Sequence, residues 1–409
     1  MFVYVLNVDG EPLMPTKPVV ARLLLKSGKA KCVRKMPFTI KMLVETESYK
    51  QEVVAGMDTG SKVVGVACIS NGKVLYQSES YLRQDISEKM TQRRGYRKNR
   101  RSRKLRYREK RFDNRANSKR KGRLAPSVLS KLNTHLREKQ FVEKLLPVSE
   151  WRVELASFDI HKISNPNVKV WEYTDGQQKG FYNVKAFVLN RDNYMCQKCK
   201  TTKGELHVHH IIFRSKGGSD TPDNLITLCE SCHEKLHKGE FEIKGTRSKT
   251  KHATEMGIIK SQLKKKFGEF IETFGYETKF KREHLLNLQK THYNDAVAIC
   301  CEEGEFVEPL NYYFVKKYVS KGDYQQTKGV RSEKKIPTGK LFGFRKFDKV
   351  KYLDKTYFIK GRMSTGYAIL MDIEGKKVDL KPIPKFNLIK KVASRKSWII
   401  DQKIIANFC

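Results

Sequence analysis

The 409-residue chain holds 83 Lys plus Arg against 44 Asp plus Glu, a formal charge of +39. That is far beyond what solubility requires, so its natural counterweight is a polyanion, and nucleic acid is the expected partner. No run reaches the apolar length of a membrane span, and MFVYVLNVDGEPLMP lacks the apolar core of a signal peptide. A cytoplasmic protein is expected, its nine Cys serving as metal ligands or buried thiols.

Residues 1–49 read as a small unit: a strand at Phe2–Val8, a turn at Asp9-Gly10, and the extended segment PLMP at Pro12–Pro15. A helix follows with Thr16 as N-cap, Pro18 in the first turn and Gly28 as the stop; one strand near Ala30–Val44 closes the unit. From Glu52 to Ile69 two apolar strands join at Thr59-Gly60-Ser61, with Asp58 at the lip of the hairpin. Residues 91–111, TQRRGYRKNRRSRKLRYREKR, form a helix with basic residues on every face, which repels itself and is expected to order only when nucleic acid surrounds it. Arg93, Arg94, Arg97, Arg100, Arg101, Arg103 and Arg106 offer bidentate phosphate contacts; the alternative is a solvated basic face. An amphipathic helix spans 126–146, and 151–160, WRVELASFDI, is a strand carrying Glu154.

Between 181 and 250 the Cys and His residues cluster. Cys196-x-x-Cys199 and Cys229-x-x-Cys232 have the spacing of two thiolate pairs closing one tetrahedral Zn²⁺. Four such ligands leave no open position, so this zinc is structural and substitutes for a core that so short a segment cannot supply. Between the pairs lie a strand with His209-His210, a turn at Arg214–Gly218 and Asn224–Leu228; Cys232-His233-x-x-x-His237 then starts a helix. On that helix His233 and His237 share a face while Cys232 points elsewhere, so the histidines can serve a second metal. A zinc ribbon that only binds RNA is the alternative reading.

This arrangement resembles the ββα-metal nucleases of the HNH family. The resemblance implies His210 as general base, His209 and His233 as ligands of one Mg²⁺ with His237 a third, and Asn224 orienting the base or its loop. HNH sequences often have Pro where Phe213 stands.

Met256–Lys266 and His284–Cys301 look helical, with His292 and Asp295 three residues apart on one face of the second. Singly, Asp58 reads equally as a turn residue and Glu154 as a surface acid. Their order, Asp on a strand, Glu on a strand and His-x-x-Asp on a helix, resembles the RuvC type of RNase H-like nuclease. That resemblance implies that Asp58, Glu154 and Asp295 bind two Mg²⁺, with His292 near the attacking water. In the last hundred residues, short strands at Thr356–Ile359, Tyr367–Asp372 and Lys377–Leu380, with a Glu374-Gly375 turn, suggest a small β-barrel. Arg331 and Arg345 sit there among basic and aromatic residues, as in nucleic-acid-binding loops; Phe342, Phe344 and Phe347 equally fit a barrel core.

Taken together, PLMP, the split carboxylate motifs, the arginine helix and the HNH insertion resemble the IscB family of transposon-associated bacterial nucleases. The expected fold class is α+β multidomain: a PLMP domain (1–49), an RNase H-like core in three parts (50–84, 124–180, 251–305), a bridge helix (85–123), the HNH unit (181–250) and a C-terminal domain (306–409). The resemblance implies a monomeric ribonucleoprotein in which an omega guide RNA pairs with one strand of a double-stranded DNA target. HNH would cut that strand and the RuvC-like site the displaced one. The C-terminal domain would read the target-adjacent motif. Only about one helix fits between Arg123 and Trp151, so RNA structure is expected to supply most of the cradle for the guide duplex. Two other readings stand beside this one: a protein-guided homing or restriction nuclease, and a non-catalytic transposon accessory factor.

Overall fold

The computed structural model describes residues 1–47, 49–102, 123–155, 181–213, 218, 220–243, 251–302, 304–320 and 340–405, without the side chains of 96, 98–102 and 251. The chain divides into two compact units: residues 1–156 with 258–409, and residues 157–257. No helix among the described residues is long and apolar enough to cross a membrane.

In the first unit, β1 (Val3–Leu6), β2 (Pro12–Thr16), β3 (Ala30–Lys35) and β4 (Phe38–Met42) form a sheet of order β2-β1-β4-β3. Helix α1 (Pro18–Lys26) covers it, burying Ala21 against Val3, Val5, Ala30, Ile40 and Met42. The single strand expected near Ala30–Val44 is a hairpin, because the chain turns at Met36-Pro37 and β3 pairs back on β4. Thr16 is not the helix cap. It pairs with Val3 in the sheet, so the strand runs one residue further and Lys17 becomes the cap, with no side-chain bond.

The central sheet has seven strands, ordered β11-β8-β5-β6-β7-β12-β17. β5 (Val54–Asp58), β6 (Val63–Ser70) and β7 (Lys73–Tyr81) are antiparallel, whereas β8 (Glu150–Glu154) runs parallel to β5 and β11 (Ile271–Thr273) parallel to β8. Beyond β7 lie β12 (Tyr312–Tyr318), parallel to it, and β17 (Trp398–Ile404). β6 is buried almost throughout, as a central strand covered on both faces must be.

The basic segment forms α2 (Ile86–Ser102), and the rest of the expected 91–111 helix lies outside the described residues. Its start is tied by Asp85, which takes Arg83 at 2.9 Å and also Lys89, and Glu88 sits in the first turn where the helix dipole favours an acid. Helix α3 (Pro126–Glu143) is not a simple amphipathic helix, since Lys131, Thr134, His135 and Glu138 are buried. Glu138 is compensated by Lys316 of β12 and by the Tyr318 hydroxyl at 2.8 Å.

Helix α8 (His292–Cys300) lies across β5 and β6. A methyl group on Gly56 would stand 2.3 Å from the Ala296 carbonyl oxygen, and one on Gly65 only 1.9 Å from that of His292. Only glycine admits so close an approach of helix backbone to sheet. The helix is shorter than the expected 284–301. Asn287 has φ +48°, and the Thr291 hydroxyl accepts the Asn294 N–H at 3.2 Å, so the helix begins at His292 behind a side-chain cap. A separate π-helical turn, Lys281–Leu285, precedes it.

The C-terminal region is not a barrel in its described residues. β12 and β17 extend the central sheet, while β13 (Lys349–Tyr352), β14 (Lys355–Arg362), β15 (Ala368–Met371) and β16 (Lys390–Ala393) form an antiparallel sheet of order β15-β14-β13-β16, with no ladder joining its edges. Lys377–Leu380 is not a strand and contributes one bridge, Lys377 to Met371. The turn at Gly375, φ +89°, is where the sequence places it.

In the second unit, α4 (Val184–Arg191) precedes an antiparallel pair, β9 (Leu206–His210) with β10 (Leu225–Cys229), and α5 (Glu230–Lys238) follows. Among the described residues the remaining α-helices are α6 (Lys251–Lys266) and, in the first unit, the short α7 (Gly275–Phe280).

The Gly65 contact yields a stability prediction. Gly65→Ala must push the N-terminus of α8 off the sheet, and a cost of about 1–3 kcal/mol or more is expected. Urea denaturation of the two proteins measures it; an unchanged midpoint would refute the flush packing.

Candidate functional site

In the second unit the sulfurs of Cys196, Cys199, Cys229 and Cys232 lie within 4.8 Å of one another, with Cys199 and Cys229 at 3.6 Å. Thiolates about 2.3 Å from a tetrahedral zinc stand roughly 3.8 Å apart, so the four residues fit that ion. Burial raises the Cys196 thiol, but hydrogen bonds from the backbone at Cys199, Cys229 and Lys198 outweigh it and bring it down to about 6. Such donors are aimed to stabilise a thiolate. Leu206, Ile226 and Leu236 pack around Cys196, Leu228, Cys229 and Cys232, so the sulfurs are the centre of this small core.

On β9 alternate side chains face opposite ways, and this separates His209 from His210. His209 is buried and its ring nitrogens gather with those of His233 and His237 of α5 within 4.8 Å. The Nε2 atoms of His233 and His237 are 3.3 Å apart. Burial, followed by repulsion from His233, His237 and His210, pushes His209 down to about 4. Burial and the neighbouring His237 and His207 lower His233 as well. Three neutral imidazoles with converging lone pairs fit one divalent cation. His210, on the other side of β9, places Nε2 at 2.8 Å from Asp220 Oδ1. Asn224 holds the loop that follows: its amide donates to the Ile212 carbonyl at 3.0 Å and its Oδ1 accepts the Ile212 N–H at 2.9 Å. Phe213 packs edge-on to the His209 ring at 5.3 Å.

The first unit carries the carboxylate cluster. Asp58 ends β5, and α8 brings His292 and Asp295 over it, the three ligating atoms falling within 4.8 Å. His292 Nδ1 lies 2.6 Å from Asp58 Oδ2, and this bond raises the imidazole pKa. Asp295 is engaged by Arg282; burial nevertheless raises its carboxyl. Glu154 is not gathered with these three. Its backbone stands opposite Asp58 in the parallel ladder, while its carboxylate is hydrogen-bonded to Thr278 beside Gly275. Burial first, then the charges of Asp58 and Asp295, lift Glu154 to about 7, with Thr278 and Arg282 opposing. Such mutual repulsion among acids is what a bound cation relieves, and two of the three expected ligands already converge.

Several residues escaped the sequence reading. Glu79 of β7 accepts the His292 backbone N–H at 3.2 Å, and Arg282, almost fully buried, clamps Asp295. No sequence signal marks Arg282. Asp220, three residues before Asp223, and His207, two before His209, carried a weak one, proximity to the histidine pair. The His207 ring stacks on His233 at 5.1 Å.

Of the basic residues, Arg93 and Arg94 are exposed on α2 and Arg97 is partly exposed. Arg100 and Arg101 lie in the same helix, but their side chains fall outside the described residues, as do Arg103, Arg106 and Arg331 entirely. Arg345 is exposed beside the second sheet, its N–H bonded to Asp348 at 2.9 Å.

Residues 3–176 match the RRXRR protein family and residues 196–239 match HNH endonuclease. Anaredoxin of Nostoc sp. (strain PCC 7120) is 45% identical over 56 residues, 14% of this chain and 74% of that protein. The type IV methyl-directed restriction enzyme EcoKMcrA of Escherichia coli K12 is 39% identical over 62 residues, 13% of this chain and 22% of that protein.

Two predictions follow from this geometry. Purified protein is expected to carry one zinc per chain by elemental analysis; Cys232→Ser should lose the metal and unfold the 181–243 segment, seen as proteolysis confined there, and retained zinc would count against the site. Glu154, with a folded pKa of about 7 against an ordinary 4.5, binds a proton more tightly when folded. Stability without divalent metal should therefore fall as pH rises from about 4.5 through 7, and Glu154→Gln should flatten that slope. Identical pH profiles for the two proteins would contradict the assigned environment.

Proposed function

We propose that this nuclease, which acts on phosphodiester bonds and carries an HNH endonuclease match at residues 196–239, is an RNA-guided double-stranded DNA endonuclease of the IscB kind, with two cutting sites. The observation that carries the reading is the coexistence in one chain of a ββα histidine site on a four-cysteine knot and an Asp58–His292–Asp295 cluster on a separate sheet. The strand arrangement β7-β6-β5-β8-β11, three antiparallel strands followed by two parallel ones, supports an RNase H-like core. The RRXRR match over residues 3–176 spans the arginine-rich α2 and supports a nucleic-acid-facing role for it.

At the HNH site His210 takes the proton of the attacking water, with Asp220 aligning its ring through Nε2. Asn224 keeps that loop in place. His209, His233 and His237 hold a divalent cation, which when bound supplies charge stabilisation to the scissile phosphate. At the second site Asp58, Asp295 and Glu154 are the ligands of paired Mg²⁺, and His292 stands beside the water position. Arg282 must release Asp295, or share it, when cations enter. The HNH site cuts the guide-paired strand and the carboxylate site the displaced one. Residues 1–49 form a PLMP domain and the C-terminal region reads the target-adjacent motif. Between Arg123 and Trp151 the protein offers the single helix α3, so a structured omega RNA supplies most of the cradle. The net charge of +39 suits such a monomeric ribonucleoprotein in the bacterial cytoplasm.

A second reading, a restriction-type nuclease that needs no RNA, draws on the similarity to EcoKMcrA. Copurification decides between them, because RNA of defined length is expected with the protein when the flanking locus is co-expressed. With guide and target present, His210→Ala and Asp58→Ala should each convert double-strand cleavage into a nick, in opposite strands. Each cut should slow at least about 100-fold, as loss of a general base or metal ligand entails. Nicks in the same strand, or two intact cuts, would sink the two-site assignment.

A further inference from the structure

Within the first unit a cavity of about 360 Å³ opens between the β3–β4 hairpin, α3 and the C-terminal strands. The volume is near the lower end of the roughly 300–1,000 Å³ typical of small-ligand sites, room for a nucleotide and too little for a duplex. Aromatic rings line it, Phe141, Trp398, Phe347 and Phe358, with Phe141 and Trp398 packing edge to face at 5.6 Å. Cations line it as well: Arg34, Lys35, Lys349, Arg395 and Lys396.

The charges are not equivalent. Lys349 is neutralised by Asp401 at 2.8 Å. Arg34 lies over the Phe141 ring, Cζ 4.9 Å from its centroid, and its Nη1 is buried without a hydrogen-bond partner among the described residues. A buried guanidinium nitrogen without an acceptor is costly. Burial lowers the pKa of both Arg34 and Lys396, and the Arg34 charge adds to the effect on Lys396. The pocket thus combines positive charge with apolar aromatic surface. An acceptor-rich group attached to a planar ring satisfies both.

We propose that this cavity captures one unstacked nucleotide of the RNA partner, its base against Trp398 and Phe347 and its phosphate on Arg34 and Lys396. The site rests on the RNA-guided reading for the identity of its ligand. Arg34 presents a planar fork preorganised by the ring beneath it, which suits a phosphate more than a compact ammonium would. Stacking on aromatic side chains is the sequence-tolerant means by which proteins hold unpaired bases. The captured nucleotide would fix the N-terminal unit's hairpin to the C-terminal strands through RNA.

The test is ultraviolet crosslinking of the purified ribonucleoprotein, followed by digestion and mass spectrometry. Ribonucleotide adducts are expected on the peptides containing Trp398 or Phe141, and Arg34→Glu and Lys396→Glu should each reduce them about tenfold, the loss of one phosphate contact. Adducts found only elsewhere, or deoxyribonucleotide adducts at Trp398, overturn the proposal while leaving RNA guidance intact. Lys396 is exposed, so its variant should fold even if the Arg34 variant does not. If no RNA copurifies, the guided reading fails first. Tryptophan fluorescence titration with the four ribonucleoside monophosphates then decides: quenching weakened by Lys396→Glu supports the site, and no quenching overturns it.

Discussion

The backbone-to-backbone approach of α8 to β5 and β6 is the constraint on which the first unit's chemistry depends. Gly56 and Gly65 remove the side chains that would hold the helix away, and the carbonyls of Ala296 and His292 occupy that space. Helix register then decides the rest. With Thr291 capping the N-terminus, His292 and Asp295 occupy the first turn and look onto Asp58 at the strand end. The buried face beneath, Ala296, Val297 and Cys300 against Ala67 and Ile69, fixes the helix rotation. Two carboxylates, Asp58 and Asp295, are thereby brought close by apolar packing, and His292 and Arg282 offset their mutual repulsion.

The second unit reaches a comparable result by other means. Its apolar centre is small, and the four sulfurs occupy the middle of it. A metal bound there ties β10 and α5 to the knuckle at Cys196 and so fixes the helix carrying His233 and His237 relative to β9. The four-cysteine and three-histidine clusters are one residue apart at Cys232 and His233, and helical geometry keeps these two side chains on different faces. The same logic in a strand, with period two, parts His209, gathered with His233 and His237, from His210.

Charge runs through both units differently. Much of the positive excess is exposed, as on α2, but a few cations are buried and each has a task. Lys316 balances Glu138 inside the sheet–helix interface, Arg282 clamps Asp295, and Arg34 lies over Phe141 beside a cavity. Buried charge is expensive unless paired; the first two are paired with acids, whereas Arg34 Nη1 has no hydrogen-bond partner among the described residues.

Spacing made the four cysteines and the histidine set legible in the sequence, because a tetrahedral ion and a helical turn impose short, fixed intervals. Asp58, Glu154 and Asp295 were legible only as an order of motifs, since carboxylates nearly a hundred and more residues apart carry no local period. The hairpin at Thr59–Ser61 and the turn at Gly375 followed from local backbone preference, whereas among the described residues the C-terminal strands form an open sheet, Lys377–Leu380 adding one bridge in place of a strand. What the sequence determined by itself was therefore the charge, the ligand types and the local turns, all set by interactions within a few residues. Only the tertiary structure decided that Glu154 turns to Thr278, that Arg282 holds Asp295, that Asp220 meets His210 and that Arg34 faces an aromatic cavity. Those pairings join segments whose proximity depends on how the sheets and helices bury their apolar faces, and that is a property of the whole packed chain.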